Sequence, residues 1–225
     1  MKKLVAFTGS GISAPSGIKT FRDHGGLWDH YRIEDVATPE AWERNPQVVL
    51  DFYNLRREQL AEVEPNAGHQ ALVDLEDRFE VVVITQNVDD LHERAGSKRV
   101  LHLHGELRKV RSVLDETFIQ DIGTRSIALG DCCPNGGQLR PHIVWFGEWV
   151  HQMEVAEAEC RGADVFMVVG TSLSVFPAAS LASTAPSSAE KFYIDPSEDA
   201  LPPGFEWIAK SAEMGVPELT KLLLD

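Results

Sequence analysis

The stretch "LVAFTGSGISAPSGIKTFRD" occupies residues 4–23 and decides how the rest of the chain is read. An apolar run, Leu4–Thr8, gives way to glycines at 9 and 11 and an alanine at 14. That order reads as strand, tight turn and helix start, the place where a dinucleotide-binding fold puts its phosphate loop. A hydride-transfer unit needs more. Its helix should lead within about 30 residues into a second strand ending in an acid that holds the ribose hydroxyls. Here the chain continues "SGIKTFRDHGGLWDHY" (16–31), with glycines, charges and aromatics but no apolar strand. Asp23 stands at a suitable distance, yet "TFRDHGG" reads as a loop. Dinucleotide binding survives this test, because it needs only backbone N–H groups and a helix N-terminus; the dehydrogenase reading does not.

Working outward, short Val- and Ile-rich runs recur at Leu4–Thr8, Val81–Thr85, Val100–Leu103, Ile143–Phe146, Val165–Val169 and Lys191–Ile194. Near-continuous apolar runs of this length are typical of parallel strands buried on both faces. Helical patterns lie between them at Pro39–Arg44, Pro46–Val63, Ala67–Arg78, Val150–Arg161, Pro177–Thr184 and Pro217–Leu224. Asn66 is placed to cap the third. The alternation predicts an α/β fold, a Rossmann-type parallel sheet. Two segments break it: Trp28–Glu64, helical and charged, and Glu106–Leu139, weakly patterned and ending in "LGDCCPNGGQL". They predict a small inserted helical domain made of residues 28–64 and 106–139. The large domain then comprises residues 1–27, 65–105 and 140–225.

Composition narrows the classes further. The chain has 225 residues, 43% of them hydrophobic and 25% charged, as in soluble globular proteins. No apolar run approaches the roughly 20 residues that span a bilayer, so no membrane partner is expected. The apolar part of "MKKLVAFTGSG" is too short for a signal sequence and runs straight into the glycine turn. A formal charge of −14 argues against general nucleic-acid binding and is compatible with a lysine-bearing protein partner. Three cysteines, two of them adjacent, make no disulfide framework, and a reducing cytoplasm is the expected location.

Several blocks carry candidate chemistry. "ITQNVDDLHERAG" (84–96) crowds Gln86, Asn87 and Asp89 onto a strand end, where α/β folds place ligand contacts. An asparagine offers donor and acceptor together, which suits a carboxamide; Asn87 and Asp89 would equally serve to cap the next helix. "VLHLHGEL" (100–107) puts His104 just past a strand, where it can act as a general base, with His102 structural. "VVGTSLSVFPAASLA" (168–182) is a second strand–Gly–Thr–Ser turn able to bind adenosine or phosphate, or simply to connect strand and helix.

Together, "TGSGISAPSGIKTFRD", "TQNVDDLHERAG", "LHGEL", "LRPHIVWFGE" and "VGTSLSVFPA" resemble the sirtuin family of NAD-dependent protein deacylases, in the family's order. The resemblance implies NAD as cofactor and an acyl-lysine peptide or protein held in the cleft between a large and a small domain. In the implied reaction the acyl oxygen attacks C1′ of the nicotinamide ribose, nicotinamide leaves, and water finally releases lysine and O-acyl-ADP-ribose. His104 matches the family's base, Asn87 and Asp89 the nicotinamide pocket, and Gln86 a ribose contact. Gly9, Ser10, Gly11, Phe21 and Arg22 match the cofactor loop, with Asp23 beside the nicotinamide pocket. Gly170, Thr171 and Ser172 match the adenosine-side turn. Val144, Phe146 and Gly147 match the strand and loop that take the peptide by β-augmentation.

"DFYNLRREQL" (51–60) places Tyr53 and Arg56 at i and i+3, one helix face, where a phenol and a guanidinium can converge on an anion. Pattern alone favours a surface arginine beside a half-buried tyrosine. The stretch resembles the family's succinyl- and malonyl-lysine branch, and Ala37 matches a small residue that leaves room for a long acyl chain. Desuccinylase or demalonylase activity is therefore expected, alongside deacetylation. The family's structural zinc on two Cys-x-x-Cys pairs is expected to be absent. "RKVRSVLDETF" has no cysteine, with Ser112 near the first ligand position, and the second region offers only Cys132 and Cys133. Packing of Val113, Leu114, Phe118, Ile119, Ile122, Ile127 and Leu129 would hold that segment instead. Near Tyr193 many relatives carry an asparagine on the adenine ribose; here that contact comes from backbone, from Asp195, or not at all. The competing functions are an ADP-ribosyltransferase or NAD hydrolase on the same scaffold, and an NAD-sensing module without turnover.

Overall fold

The structure, a computed structural model, describes residues 1–20 and 31–225. Phe21, Arg22 and Asp23, assigned above to the cofactor loop, lie outside the described residues. The chain runs from β1 (Lys2–Thr8) through the short helix α1 (Ser10–Ser13) into α2 (Ile33–Val36), α3 (Pro39–Arg44), α4 (Pro46–Leu60) and α5 (Ala67–Asp74). It then forms β2 (Phe79–Thr85), α6 (Leu91–Ala95), β3 (Val100–His102), β4 (Gly105–Ser112), β5 (Ile119–Asp121) and β6 (Leu139–Ile143). Helix α7 (Met153–Arg161), β7 (Val165–Val169), β8 (Glu190–Ile194), β9 (Glu206–Ile208) and α8 (Ala212–Leu224) complete it.

Six strands form one sheet in the order β3-β2-β1-β7-β8-β9, and every neighbouring pair is parallel. Both faces are buried, which is why the strands read as unbroken apolar runs. On one face Leu4, Ala6 and Val83 pack with Leu72 and Leu75 near α5 and with Val216 and Leu219 of α8. On the other, Val5, Phe7 and Phe166 pack with Met153, Ala156 and Cys160 of α7. The topology reverses at β1, which has β2 on one side and β7 on the other. A crevice opens at the carboxyl ends of the strands at such a switch point.

Among the described residues the next strand of this sheet after β1 is β2, beginning at Phe79. The missing second strand of a dehydrogenase unit is thus replaced by helices α2 to α5. Helices α2–α4 build their own core with Val36, Ala41, Val49, Phe52, Tyr53 and Trp145. A three-stranded antiparallel sheet, β5-β4-β6, adds a second with Leu50, Val110, Ile122, Ile127 and Leu139. The small unit is therefore helical in its first part and sheet-bearing in its second. The boundary expected between 139 and 140 falls inside β6, which pairs with β4.

The strand expected over Ile143–Phe146 needs correction. It lies earlier, at Leu139–Ile143, although Pro141 and charged residues hide it from a hydropathy reading. Val144 and Trp145 are irregular, and Phe146 and Gly147 turn. Pro217 does not open a helix either; it sits inside α8, which begins at Ala212.

Candidate active site

Four strand ends meet at the crevice. The Gly9 amide donates to Val169 O (3.0 Å), Gly11 to Gly170 O (2.9 Å), Gln86 to Thr8 O (3.0 Å) and Gly170 to Ile194 O (2.9 Å). The glycines are demanded by this close approach. A Cβ on Gly9 would lie 2.6 Å from Thr171 Cβ, and one on Gly11 2.6 Å from Gly170 Cα, distances no side chain tolerates. Gly170 meets the same crowding with φ +59°. The amides of Gly9 and Gly11 are spent on the neighbouring turn, so the loop packs two turns together before it receives any ligand.

A cavity of about 600 Å³ opens here, lined by Gly9, Ser10, Gly11, Gln86, Asn87 and His104. Gly170, Thr171, Ser172 and Tyr193 also line it, as do Ala37, Tyr53, Arg56, Val144, Phe146 and Gly147. The structure thus brings the expected residues into one space, with one exception among those described. Asp89, 5% exposed, does not line the cavity but stands behind its wall.

Asn87 is 4% exposed, and its side-chain amide donates to Gly9 O (3.1 Å) and to Ser13 Oγ (3.0 Å). Only its side-chain oxygen remains for a ligand. Ser13 Oγ in turn donates to Asp89 Oδ2 (3.0 Å), and Asp89 Oδ1 accepts from the Leu91 amide (3.2 Å). Asp89 therefore does two things, tying down the start of α6 and, through Ser13, orienting Asn87. Burial raises its pKa, partly offset by these bonds. Ser13 was missed because a serine two residues past a glycine turn looks like ordinary helix.

Gln86 donates to Thr171 Oγ1 (2.8 Å), tying the two strand-end turns across the cavity floor. The His104 Nδ1 lies 3.0 Å from Gln86 O. A carbonyl only accepts, so Nδ1 carries the proton and Nε2 is left as a base. Burial lowers the His104 pKa, the Gln86 bond opposing it, so the ring is neutral at pH 7. Tyr193 donates to Thr171 O (3.3 Å), and Asp195 lines the same cavity.

Tyr53 and Arg56 are both buried, on the face of α4 that the i, i+3 spacing assigns. The picture of a surface arginine is thereby excluded. Burial pushes the Tyr53 hydroxyl up to about 12, so it stays a donor. Burial also lowers the Arg56 pKa, while Tyr53 and Asp89 oppose that shift.

The Val144–Gly147 segment is held from two sides, Val144 N donating to His104 O and Phe146 N to Ala37 O, each 3.0 Å. Trp145 N donates to Glu148 Oε2 (2.8 Å). With three successive amides spent inside the protein, a peptide partner would meet this segment chiefly through its carbonyls. Glu148 anchors it. Arg140 binds both of its oxygens (2.8 and 2.9 Å), Arg111 binds one (2.9 Å), and Arg140 stacks 3.4 Å above the Trp145 ring. Glu148 ended the "FGE" block without attracting notice, since its partners are remote in sequence.

Neither cysteine of the small unit stands in a ligand cluster among the described residues. Cys133 is buried and donates to Ser112 Oγ (3.3 Å), while Cys132 is exposed. Among the described residues no cluster of three or more His, Cys, Asp or Glu side chains could hold a metal. Hydrogen bonds staple this segment. The Gln138 amide reaches Ala128 O (3.0 Å), Asp131 O (3.1 Å) and Leu139 O (3.0 Å), while its oxygen accepts from Gly130 N (2.7 Å). Asn54 of α4 exchanges bonds with Ile127, donating to its carbonyl (2.8 Å) and accepting from its amide (3.0 Å). Ile122 and Ile127 are buried as expected, whereas Val113, Leu114, Ile119 and Leu129 are exposed.

Comparison with known proteins agrees with this geometry. Residues 9–177 match the model of the Sir2 family. A protein of Bacteroides thetaiotaomicron named NAD-dependent protein deacylase is 50% identical over 100% of this chain and 99% of its own length. A Sir2 homologue solved with NAD is 40% identical, with a TM-score of 0.90 over 99% of this chain and 90% of that one. A Sir2 structure holding a deacetylated peptide and 3′-O-acetyl-ADP-ribose is 30% identical, with a TM-score of 0.80 over 99% and 92%. The chain belongs to the Sir2 family.

Proposed function

We infer that the protein is an NAD-dependent protein deacylase acting on acyl-lysine side chains. The observation that carries this is the single cavity that joins the glycine turns, Gln86, Asn87 and His104 to the Val144–Gly147 segment. NAD supplies a ribose whose C1′ holds a good leaving group, nicotinamide, and whose hydroxyls accept the acyl group. Asn87 presents its side-chain oxygen to a carboxamide, held in place by Ser13. His104 takes a proton from a ribose hydroxyl at Nε2, its Nδ1–H fixed on Gln86 O. Val144–Gly147 receives the peptide backbone alongside, and the buried walls limit competing water.

Tyr53 and Arg56 support a finer reading, removal of succinyl or malonyl groups as well as acetyl, with Ala37 leaving space for the chain. The Ser112–Cys133 bond and the Gln138 staple support a small unit that needs no structural zinc. Three free thiols, Cys132 exposed, suit a reducing cytoplasm. The acidic surface favours basic, lysine-bearing protein partners over nucleic acid. No helix among the described residues is long and apolar enough to cross a membrane.

The test is nicotinamide release from NAD with acetyl-, succinyl- and malonyl-lysine peptides, run with and without a chelator. Release should require an acyl peptide, be indifferent to the chelator, and drop by roughly 10²–10⁴ in His104→Ala. Release without peptide would favour an NAD hydrolase, and labelling of protein an ADP-ribosyltransferase. Binding without release would mark a sensor.

A further inference from the structure

We propose that His102 is a positioning residue of the nicotinamide side of the cavity: as an imidazolium between Glu93 and the Asn87 carbonyl, it fixes the backbone that presents Gln86 and Asn87. The inference rests on the deacylase reading above. Its basis is a ladder in which four consecutive carbonyls are all taken by one facing segment. Thr85 O accepts from the Leu103 amide (2.9 Å) and Val88 O from the Leu107 amide (2.8 Å). Between them the main-chain pairing lapses, and two imidazoles supply the missing rungs. His104 Nδ1 takes Gln86 O and His102 Nδ1 takes Asn87 O, each at 3.0 Å.

The two rings differ at Nε2. That of His104 is left as the base, whereas that of His102 lies 2.8 Å from Glu93 Oε1 on α6. A carbonyl and a carboxylate both accept only, so both nitrogens of His102 carry protons. Glu93 is ionised: burial would raise its pKa, but the bond and charge of His102 outweigh that and lower it. The His102 side chain is 8% exposed, and burial alone would discharge it. The bond and charge of Glu93, with Glu106 of β4 behind it, overcome that cost and raise its pKa. Asp89, on the turn before α6, also faces the ring's charge. His92 of α6 is neutral by burial, and Lys109 is paired with Glu106 at 2.7 Å. Two histidines two residues apart thus hold opposite charge states on the same backbone. Turnover needs His104 neutral and His102 charged, so activity falls on the acid side with the first and on the alkaline side with the second.

The test combines ¹⁵N NMR of the imidazoles with pH profiles of kcat/KM for NAD in the wild type, Glu93→Gln, His102→Gln and His102→Phe. His102 should be doubly protonated at pH 7 and His104 singly. Glu93→Gln should lower the His102 titration and carry the alkaline limb down with it. His102→Phe should raise KM for NAD about fivefold, the worth of one hydrogen bond near 1 kcal/mol, and leave KM for peptide unchanged. His102→Gln, which keeps a donor, should recover most of that. A singly protonated His102 at pH 7 would overturn the proposal. So would an alkaline limb that stays put while the His102 titration moves, or equal loss of NAD and peptide affinity in the Phe and Gln variants. Absence of any turnover in the wild type would instead reject the deacylase reading; imidazole titration and NAD binding of the variants would then judge His102 alone.

Discussion

At the scale of single residues, Arg56 is the position where burial and specificity meet. A guanidinium buried beside the Tyr53 phenol gives an anion charge-assisted hydrogen bonds with little competing water. A succinyl or malonyl carboxylate is such an anion, and an acetyl group is not. Arg56→Met should therefore lower kcat/KM for succinyl peptide about 10- to 100-fold, the worth of a charge-assisted hydrogen bond of roughly 1.5–3 kcal/mol. Acetyl-peptide turnover should change little. Steady-state kinetics on the two peptides decide it, and parallel losses would discard the pocket. The positions of Tyr53, Arg56 and His104 were legible from i, i+3 spacing and strand ends, whereas their assigned roles came from the resemblance to the sirtuin family. Ser13 and Glu148 were not legible, since each acts through partners that only the fold brings near. Asp89 was visible for its polarity, but its place behind the wall depends on Ser13.

Elements show where local pattern suffices and where it fails. The buried parallel strands β1 and β7 and helices α3 and α4 could be read directly, because unbroken Val/Ile runs and capped apolar periodicity need no distant information. Strand β6, "LRPHI", could not: it pairs with β4 while carrying an arginine, a proline and a histidine. Its Arg140 is there for Glu148. Arg140 and Arg111 are 8% and 9% exposed, so removing Glu148 leaves two buried cations without their carboxylate. Glu148→Ala should cost about 3 kcal/mol or more in denaturant unfolding. It should also release the Trp145 amide and raise KM for peptide with little change for NAD. A loss of stability with no effect on peptide would show that the anchor serves the fold alone.

For the whole molecule, the large unit hides two histidines behind the cavity. His92 Nε2 lies 3.0 Å from Thr8 Oγ1, and the His69 and His92 rings meet edge to face, centroids 4.9 Å apart. Burial holds His92 well below the ordinary value and His69 at about 4, against 6.5 unperturbed. The unfolded chain binds protons at both as pH falls below about 6.5, and the folded chain does not. Stability should therefore decline from pH 6.5 toward 4, by a few kcal/mol for His69 alone. Urea midpoints measured across that range should fall, and fall less steeply in His69→Gln; identical slopes would overturn the assignment.

The central position of β1 carries a consequence for how the chain comes to be made. Its residues are synthesised before those of both its partners, so Leu4 waits for Val81 on one side and Val165 on the other. Until β7 (Val165–Val169) has left the ribosome, this central, mostly buried strand has one edge without its partner. Distant pairings of this kind slow folding and leave strand edges open to wrong partners. The glycine turn at its end is completed later still, when Gly170 arrives to fill the space that Gly9 and Gly11 keep open. A nascent chain released before that point would carry a cofactor motif in its sequence and no cofactor site in its structure.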